Sequence, residues 1–235
     1  MKKLISSLLF LVISLASFAQ SSNKKSSVFV NLGASIPVGD FALKDMYDEK
    51  SGLATTGFYF DLGYQYQFEK NFGAIAMFNW KVNGIDKQAL NYTLPTGSGG
   101  SSSVSATPWK MSSFLAGFTQ DLPLTKNDKL SLVFRELAGV QFTSSPEINY
   151  SYSIPGVGAS SSQQESSNST AFSYLLGMGF KYKLSDKLAL KLNGDYHSST
   201  PKFMITTYPA DAPVEQEVKQ NVSTFNVGVG LVIGF

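Results

Sequence analysis

His197 and Ser199 stand two residues apart, and an imidazole beside a hydroxyl is the pairing by which a general base activates a nucleophile. The orienting carboxylate of such a pair would come from Asp211 or Glu215, reached through a loop. His197 is the single histidine and cysteine is absent, so histidine clusters and thiolate sites are excluded together. Carboxylates gather at Asp45, Asp48 and Glu49, and again at Asp211, Glu215 and Glu217. These are oxygen donors of the kind calcium takes, but neither group has the spacing of a calcium loop. Gly97-Ser98-Gly99-Gly100 lacks the strand-to-helix setting of a phosphate-binding turn. No metal or cofactor is expected. The remaining chemistry is dispersed charge: Asp61, Lys81, Arg135, Glu136, Lys181, Lys183, Lys191 and Asp195.

Those charges lie in segments of period two. Phe58, Phe60, Leu62, Tyr64 and Tyr66 alternate with Tyr59, Asp61, Gly63, Gln65 and Gln67. Phe72 to Val82 sets Phe78 and Trp80 against Asn79 and Lys81, and Phe172 to Tyr182 sets aromatics against Gly177, Gly179 and Lys181. In 221–235 the odd positions are large and apolar after Ser223, and the even ones small or polar apart from Val222 and Val232. Segments 27–36, 110–121, 130–143 and 188–197 behave alike, which makes eight strands. Strict alternation from Leu130 would set Glu136 among the apolar side chains. A bulge near Arg135–Leu137 that turns it inward is the expectation, with a place near the outer interface as the alternative.

The connections alternate in length. Phe68–Asn71, Pro123–Lys129 and Leu184–Lys187 are short, while 37–52, 83–109, 144–170 and 198–220 are long. Asp40–Asp48 has a weak helical period, and the Ser- and Gly-rich stretches 95–108 and 155–170 read as mobile. Tyr47, Tyr92, Tyr150, Tyr152, Tyr208 and Pro209 give the long loops the composition of recognition surfaces. Short turns at one end and long loops at the other describe an up-and-down meander, and an even strand number closes it. The expected fold is all-β: an eight-stranded antiparallel up-and-down transmembrane β-barrel.

Composition decides which face meets lipid. Charged residues are 15% of the 235, against roughly 25% in an ordinary soluble domain, while 43% are hydrophobic and 13% aromatic. Eight strands enclose an interior that side chains can fill. Glycine, serine and a few paired ions suit that interior, and rings on nearly every strand suit hydrocarbon. A secreted soluble barrel or sandwich, with the rings inside, is the competing reading. Residues 1–19 carry Lys2 and Lys3, an apolar run and then Ser17 and Ala19, the layout of a signal peptide. Residues 20–25 would be a short leader and 26–235 the barrel. Setting Lys2 and Lys3 aside brings the 19 basic residues level with the 17 acidic ones. A neutral chain has no footprint for nucleic acid.

With these features the sequence resembles the small eight-stranded outer-membrane barrels, the OmpA-like and OmpX-like porin-family group, of Bacteroidota type. Ser35-Ile36-Pro37-Val38-Gly39-Asp40-Phe41, the turn Leu184-Ser185-Asp186-Lys187 and the terminal strand VGVGLVIGF carry the resemblance. It implies a bacterial outer-membrane location, with periplasmic termini and extracellular loops. It also implies a C-terminal assembly signal of Leu231, Ile233 and Phe235, read by the barrel assembly machinery. Lipids and lipopolysaccharide would surround a monomer, and the loops would meet an extracellular protein or glycan. The function expected is structural or adhesion-like, without catalysis; a narrow pore for small solutes or ions is the alternative. The His197–Ser199 pair resembles that of outer-membrane lipid A deacylases, which makes a lipid hydrolase the third reading. The parity that turns His197 inward opposes it. For the charge cluster, an interior salt-bridge plug and a narrow ion path remain open alternatives.

Overall fold

The computed structural model describes residues 26–90, 100–156, 158–208 and 213–235. The expected signal peptide and leader, Asp211, Tyr92 and Pro209 lie outside the described residues.

Alternation produces the strands it predicts. β1 is Ser26–Val38, β2 Gly57–Gln67 and β3 Phe72–Asn83. A second set comprises β4 Ser101–Ala106, β5 Trp109–Pro123, β6 Leu130–Ser144, β7 Ile148–Ile154 and β8 Gly158–Gln164. The rest are β9 Asn168–Lys183, β10 Leu188–Ser199, β11 Lys202–Tyr208, β12 Val214–Lys219 and β13 Val222–Gly234. Eight of these close on themselves in the order β1-β13-β10-β9-β6-β5-β3-β2, every pair antiparallel. β1 and β13 join the ends in register from Ser27↔Gly234 to Val38↔Ser223, so no barrel edge is left unpaired. Barrel strands run from 11 residues in β2 to 16 in β9.

Every barrel strand turns large apolar side chains outward, although Phe29, Ile75, Met77, Leu115, Leu137 and Leu175 pack inside. Leu32, Leu62, Trp80, Phe118, Phe172, Leu176, Leu192 and Val229 are exposed, while Asn31, Asp61, Asn79, Lys81, Arg135, Asn193 and Asp195 are buried. The inside is packed rather than open. Gly33 of β1 and Gly228 of β13 are opposite each other, and Gly33 also pairs with Tyr59 of β2. A Cβ on Gly228 would come within 2.4 Å of the Tyr59 hydroxyl. The two glycines are therefore the gap in the wall into which the fully buried Tyr59 fits.

The long connections correct the expectation of mobile loops. Ser101–Ala106 and Gly158–Gln164 are strands, and with β7, β11 and β12 they build a separate five-stranded sheet in the order β12-β11-β8-β7-β4. Its sequence hides it, because serines on one face leave no strong alternation to read. Register restores the two faces. Ser101, Ser103, Ser105, Asn149, Ser151, Ser153, Ser161 and Gln163 share one. Val104, Ala106, Ile148 and Tyr150 share the other and pack with Leu53 and Leu90. The helical period at Asp40–Asp48 becomes a 3-10 turn at Gly39–Ala42, and a helical turn forms at Lys87–Leu90.

Glu136 contradicts the expected bulge. β6 runs in unbroken register from Leu130↔Tyr182 to Ser144↔Asn168, and Glu136 pairs with Leu176 and Phe118 on the exposed outer face. With both neighbouring ladders continuous, nothing rotates the strand, and period two holds.

Candidate functional site

Three regions bring polar chemistry together: the barrel interior, the long-loop end and the short-turn end. In the interior, Arg135 Nη2 donates to both oxygens of Asp195, at 2.6 and 2.5 Å. Both side chains are 1% exposed, so the pair is fully desolvated. Asp61 accepts from Asn79 Nδ2 at 2.6 Å and Asn31 Nδ2 at 3.1 Å. Lys81 Nζ donates to Thr224 Oγ1 at 3.0 Å and lies 2.9 Å from His197 Nδ1. Lys191 lies over the Phe29 ring, 5.1 Å from its centroid. Lys181 pairs with Asp121, which also accepts from Gln67. Of these, Arg135–Asp195 and Lys181–Asp121 are ion pairs, the form in which buried charge is tolerated.

Asp61, Lys81, Arg135, Lys181, Lys191 and Asp195 lie on the inner face, but not as one cluster. Lys183 has inward parity yet is exposed, because β9 ends there, and it stands at the turn-end mouth. Glu136 is outside altogether. Asp121, Asn31, Asn79, Gln141 and Thr224 were missed, although the alternation that faces Lys81 inward faces each of them inward too.

His197 and Ser199 are both buried inside, and no hydrogen bond joins them. Lys81 occupies the Nδ1 side of His197, and Ser199 Oγ accepts from Gln141 Nε2 at 2.7 Å. Glu215 is exposed on β12, opposite Thr206. The activated-serine arrangement is thus not assembled among the described residues. The acidic groups are engaged otherwise as well. Asp45 accepts from the Tyr47 N–H, Asp48 from the Lys50 N–H, and Glu217 pairs with Lys202 at 2.9 Å. Among the described residues no three His, Asp or Glu side chains converge to hold a metal.

Apolar clusters bound the interior. At the long-loop end Phe41, Trp109 and Phe203 pack with Ala54, Met111 and Val222 across the mouth. Trp109 lies 5.4 Å from Phe41 and 5.9 Å from Phe203, centroid to centroid, and its Nε1–H donates to the Gly52 carbonyl at 3.0 Å. A Cβ on Gly52 would come within 2.6 Å of the Phe41 ring, so this close approach requires glycine. A second cluster, Phe29, Ile75, Met77, Leu115, Leu137, Leu175, Ala189 and Val232, reaches the turn-end mouth through its last two members.

Above the long-loop cap is a cleft of 290 Å³ under the five-stranded sheet. Trp109, Phe203, Ile205 and Ile148 give it apolar walls, with Glu49 and Gln216 among its polar groups. Ser51, Ser145, Gln164, Thr207 and Gln220 also line it, so the cleft is mixed in character.

The loop end is pinned by Asp86. It accepts from the N–H groups of Gln88 and Ala89, and Lys44 reaches it at 2.8 Å. The Lys44 ammonium, then the Ala89 N–H, hold the Asp86 carboxyl below its ordinary value. A depressed carboxyl stabilises the fold above its unfolded value and ceases to do so as pH falls through the folded one. Acidification below about pH 4 is therefore expected to loosen residues 43–51, and amide exchange should show that step in the parent but not in Asp86→Asn.

The eight paired strands, outward aromatics and filled interior define a small, closed, antiparallel β-barrel of the outer-membrane class. The model of the outer membrane protein beta-barrel domain family matches residues 5–232, and the chain belongs to that family. Among solved structures, the Neisserial surface protein A, NspA, is 13% identical with a TM-score of 0.49, over 90% of this chain and 97% of that one. Ail, the attachment invasion locus protein of Yersinia pestis, is 18% identical with a TM-score of 0.42, over 89% and 99%. A major outer membrane protein from Thermus thermophilus is 13% identical with a TM-score of 0.48, over 89% and 99%. No curated protein matches the sequence.

The family's setting gives Glu136 its consequence. Leu130, Leu132 and Phe134 precede it on the outer face of β6, and Ala138, Val140 and Phe142 follow, so it stands mid-run. A lipid-facing carboxylate there costs stability, less than a lysine would. Glu136→Leu is expected to stabilise the barrel by about 1–2 kcal/mol, read as a higher urea midpoint in lipid.

Proposed function

We propose that this protein is an outer-membrane barrel with a structural and surface-interaction role, adhesion-like in form, exercised through its long-loop end. In this reading the loops are extracellular and the termini periplasmic. A signal peptide in residues 1–19 directs export, and Leu231, Ile233 and Phe235 form the signal for the barrel assembly machinery. The Bacteroidota typing is part of the same reading and rests on the sequence alone. A monomer set in lipid and lipopolysaccharide meets an extracellular protein or glycan.

The observation that carries the proposal is the five-stranded sheet. Its apolar face covers the mouth; on the other face β4, β7 and β8 present serine, asparagine and glutamine without a charge, while β11 and β12 carry Lys202, Glu215, Glu217 and Lys219. Surfaces ordinarily hold about 25–35% charged residues. A folded, uncharged hydroxyl and amide face offers hydrogen bonds at strand spacing, and it is already ordered before a partner arrives. The pore alternative has less support, because apolar clusters bound the packed interior. The lipid hydrolase has less still, since Ser199 faces inward and is held by Gln141.

Replacing Ile148–Gln164 by a short turn tests this. Cells displaying the variant are expected to lose binding to immobilised matrix protein or glycan while the barrel keeps its compact, heat-modifiable band. Unchanged binding in the variant, or none in the parent, would contradict the proposal.

A further inference from the structure

At the short-turn end, opposite the loop sheet, the barrel opens into a vestibule of 180 Å³. Lys181, Lys183 and Lys187 line it with Ser26, Gln65 and Gln67, and Asp186 is the one carboxylate among its lining residues. Ala189 and Val232 also line it, and both belong to the apolar cluster that fills the barrel behind. The vestibule is therefore blind, a place to hold a ligand rather than an entrance to a path.

Its charge is unbalanced. Lys191, buried behind the vestibule and not among its lining residues, is the direct cross-strand partner of Lys181 on the inner face, an arrangement in which like charges repel. Asp121 answers Lys181, and Asp195 is held by Arg135, so no carboxylate pairs with Lys191 among the described residues. Lys183, next along β9 on the same face, makes no ion pair among the described residues either. Gln67 already gives its amide to Asp121, whereas Gln65 lines the mouth beside it. Among the lining residues three lysines, Lys181, Lys183 and Lys187, thus stand with one carboxylate, Asp186, and with Asp121 answering Lys181 from behind.

We propose that the vestibule binds a phosphate-type oxyanion, which would meet Lys183 at the rim, offset the field of Lys191 behind it and accept from several donors at once. Such bonds are charge-assisted and stronger than neutral ones. Free phosphate and the phosphate of an anionic lipid headgroup share this chemistry. The site is independent of the loop sheet, so it stands or falls without the adhesion-like role.

The test is titration of the refolded barrel with inorganic phosphate in octyl glucoside, following backbone amides by NMR against a chloride control of equal ionic strength. Saturable shifts at Ser27, Leu188 and Gly234 are expected. Lys183→Gln, a change at an exposed rim position, should weaken binding about tenfold, while Lys110→Gln at the far end should leave it unchanged. In phosphatidylglycerol nanodiscs, the same shifts without added phosphate would identify the headgroup as occupant; shifts only on adding phosphate would identify the free ion. Absence of saturable shifts in both media, or a Lys183→Gln titration equal to the parent's, would overturn the proposal.

Discussion

Arg135→Met is expected to destabilise the barrel by about 3–5 kcal/mol, the loss that follows when one partner of a buried ion pair is removed. Arg135 and Asp195 are both 1% exposed, so the stranded carboxylate has no water to turn to. Asp61, whose partners are two amides, lies in the same interior. Substituting both members, as Arg135→Met with Asp195→Leu, should recover most of the loss, because apolar replacements of a buried pair are often neutral. Urea unfolding of the refolded protein in lipid, followed by the heat-modifiable band, measures both. A single-variant loss below about 1 kcal/mol, the size of a solvent-screened pair, would mean that water reaches the pair and that the interior is open.

Trp109→Ala is expected to cost about 3–5 kcal/mol, the range for a large aromatic removed from a packed core. The residue joins Phe41 and Phe203 across the loop-end mouth and fastens the Gly52 carbonyl. Alanine forfeits all three contacts, so residues 43–51 should become protease-sensitive while the barrel band persists. Trp109→Phe keeps a ring but strands the Gly52 carbonyl, and should cost about 1–3 kcal/mol, the penalty of one unsatisfied buried group. Equal proteolysis of parent and alanine variant would show that the cap does not hold the loop.

The barrel was legible in the sequence because a two-residue period must place one set of side chains inside and the other outside. The alternation around Asp61, Lys81 and Asp195 told which set was which. Glu136 was misread for a related reason: a charge among apolar residues invited a bulge, but unbroken ladders on both sides leave the strand no freedom to turn. The loop sheet escaped notice because Ser101–Ala106 and Gly158–Gln164 bury little of their own, and only pairing with β7 gives them a face. Partner choice inside the barrel was also beyond reach. Lys81 meets His197 rather than Asp61 because strand tilt and stagger decide who faces whom across a closed barrel, and alternation carries no such information. His197 and Ser199 are two residues apart on one strand face, roughly 6.6 Å by strand rise, and each takes a partner from across the barrel instead.

The central claim is that the barrel is a sealed scaffold whose activity lies on its surface, and conductance tests it most directly. Single barrels in a planar lipid bilayer at moderate voltage are predicted to show no stable current steps, in the parent and in Glu136→Leu alike. Reproducible ohmic steps from the parent protein, reduced by Arg135→Met or enlarged by Trp109→Ala, would contradict it and make the interior a path.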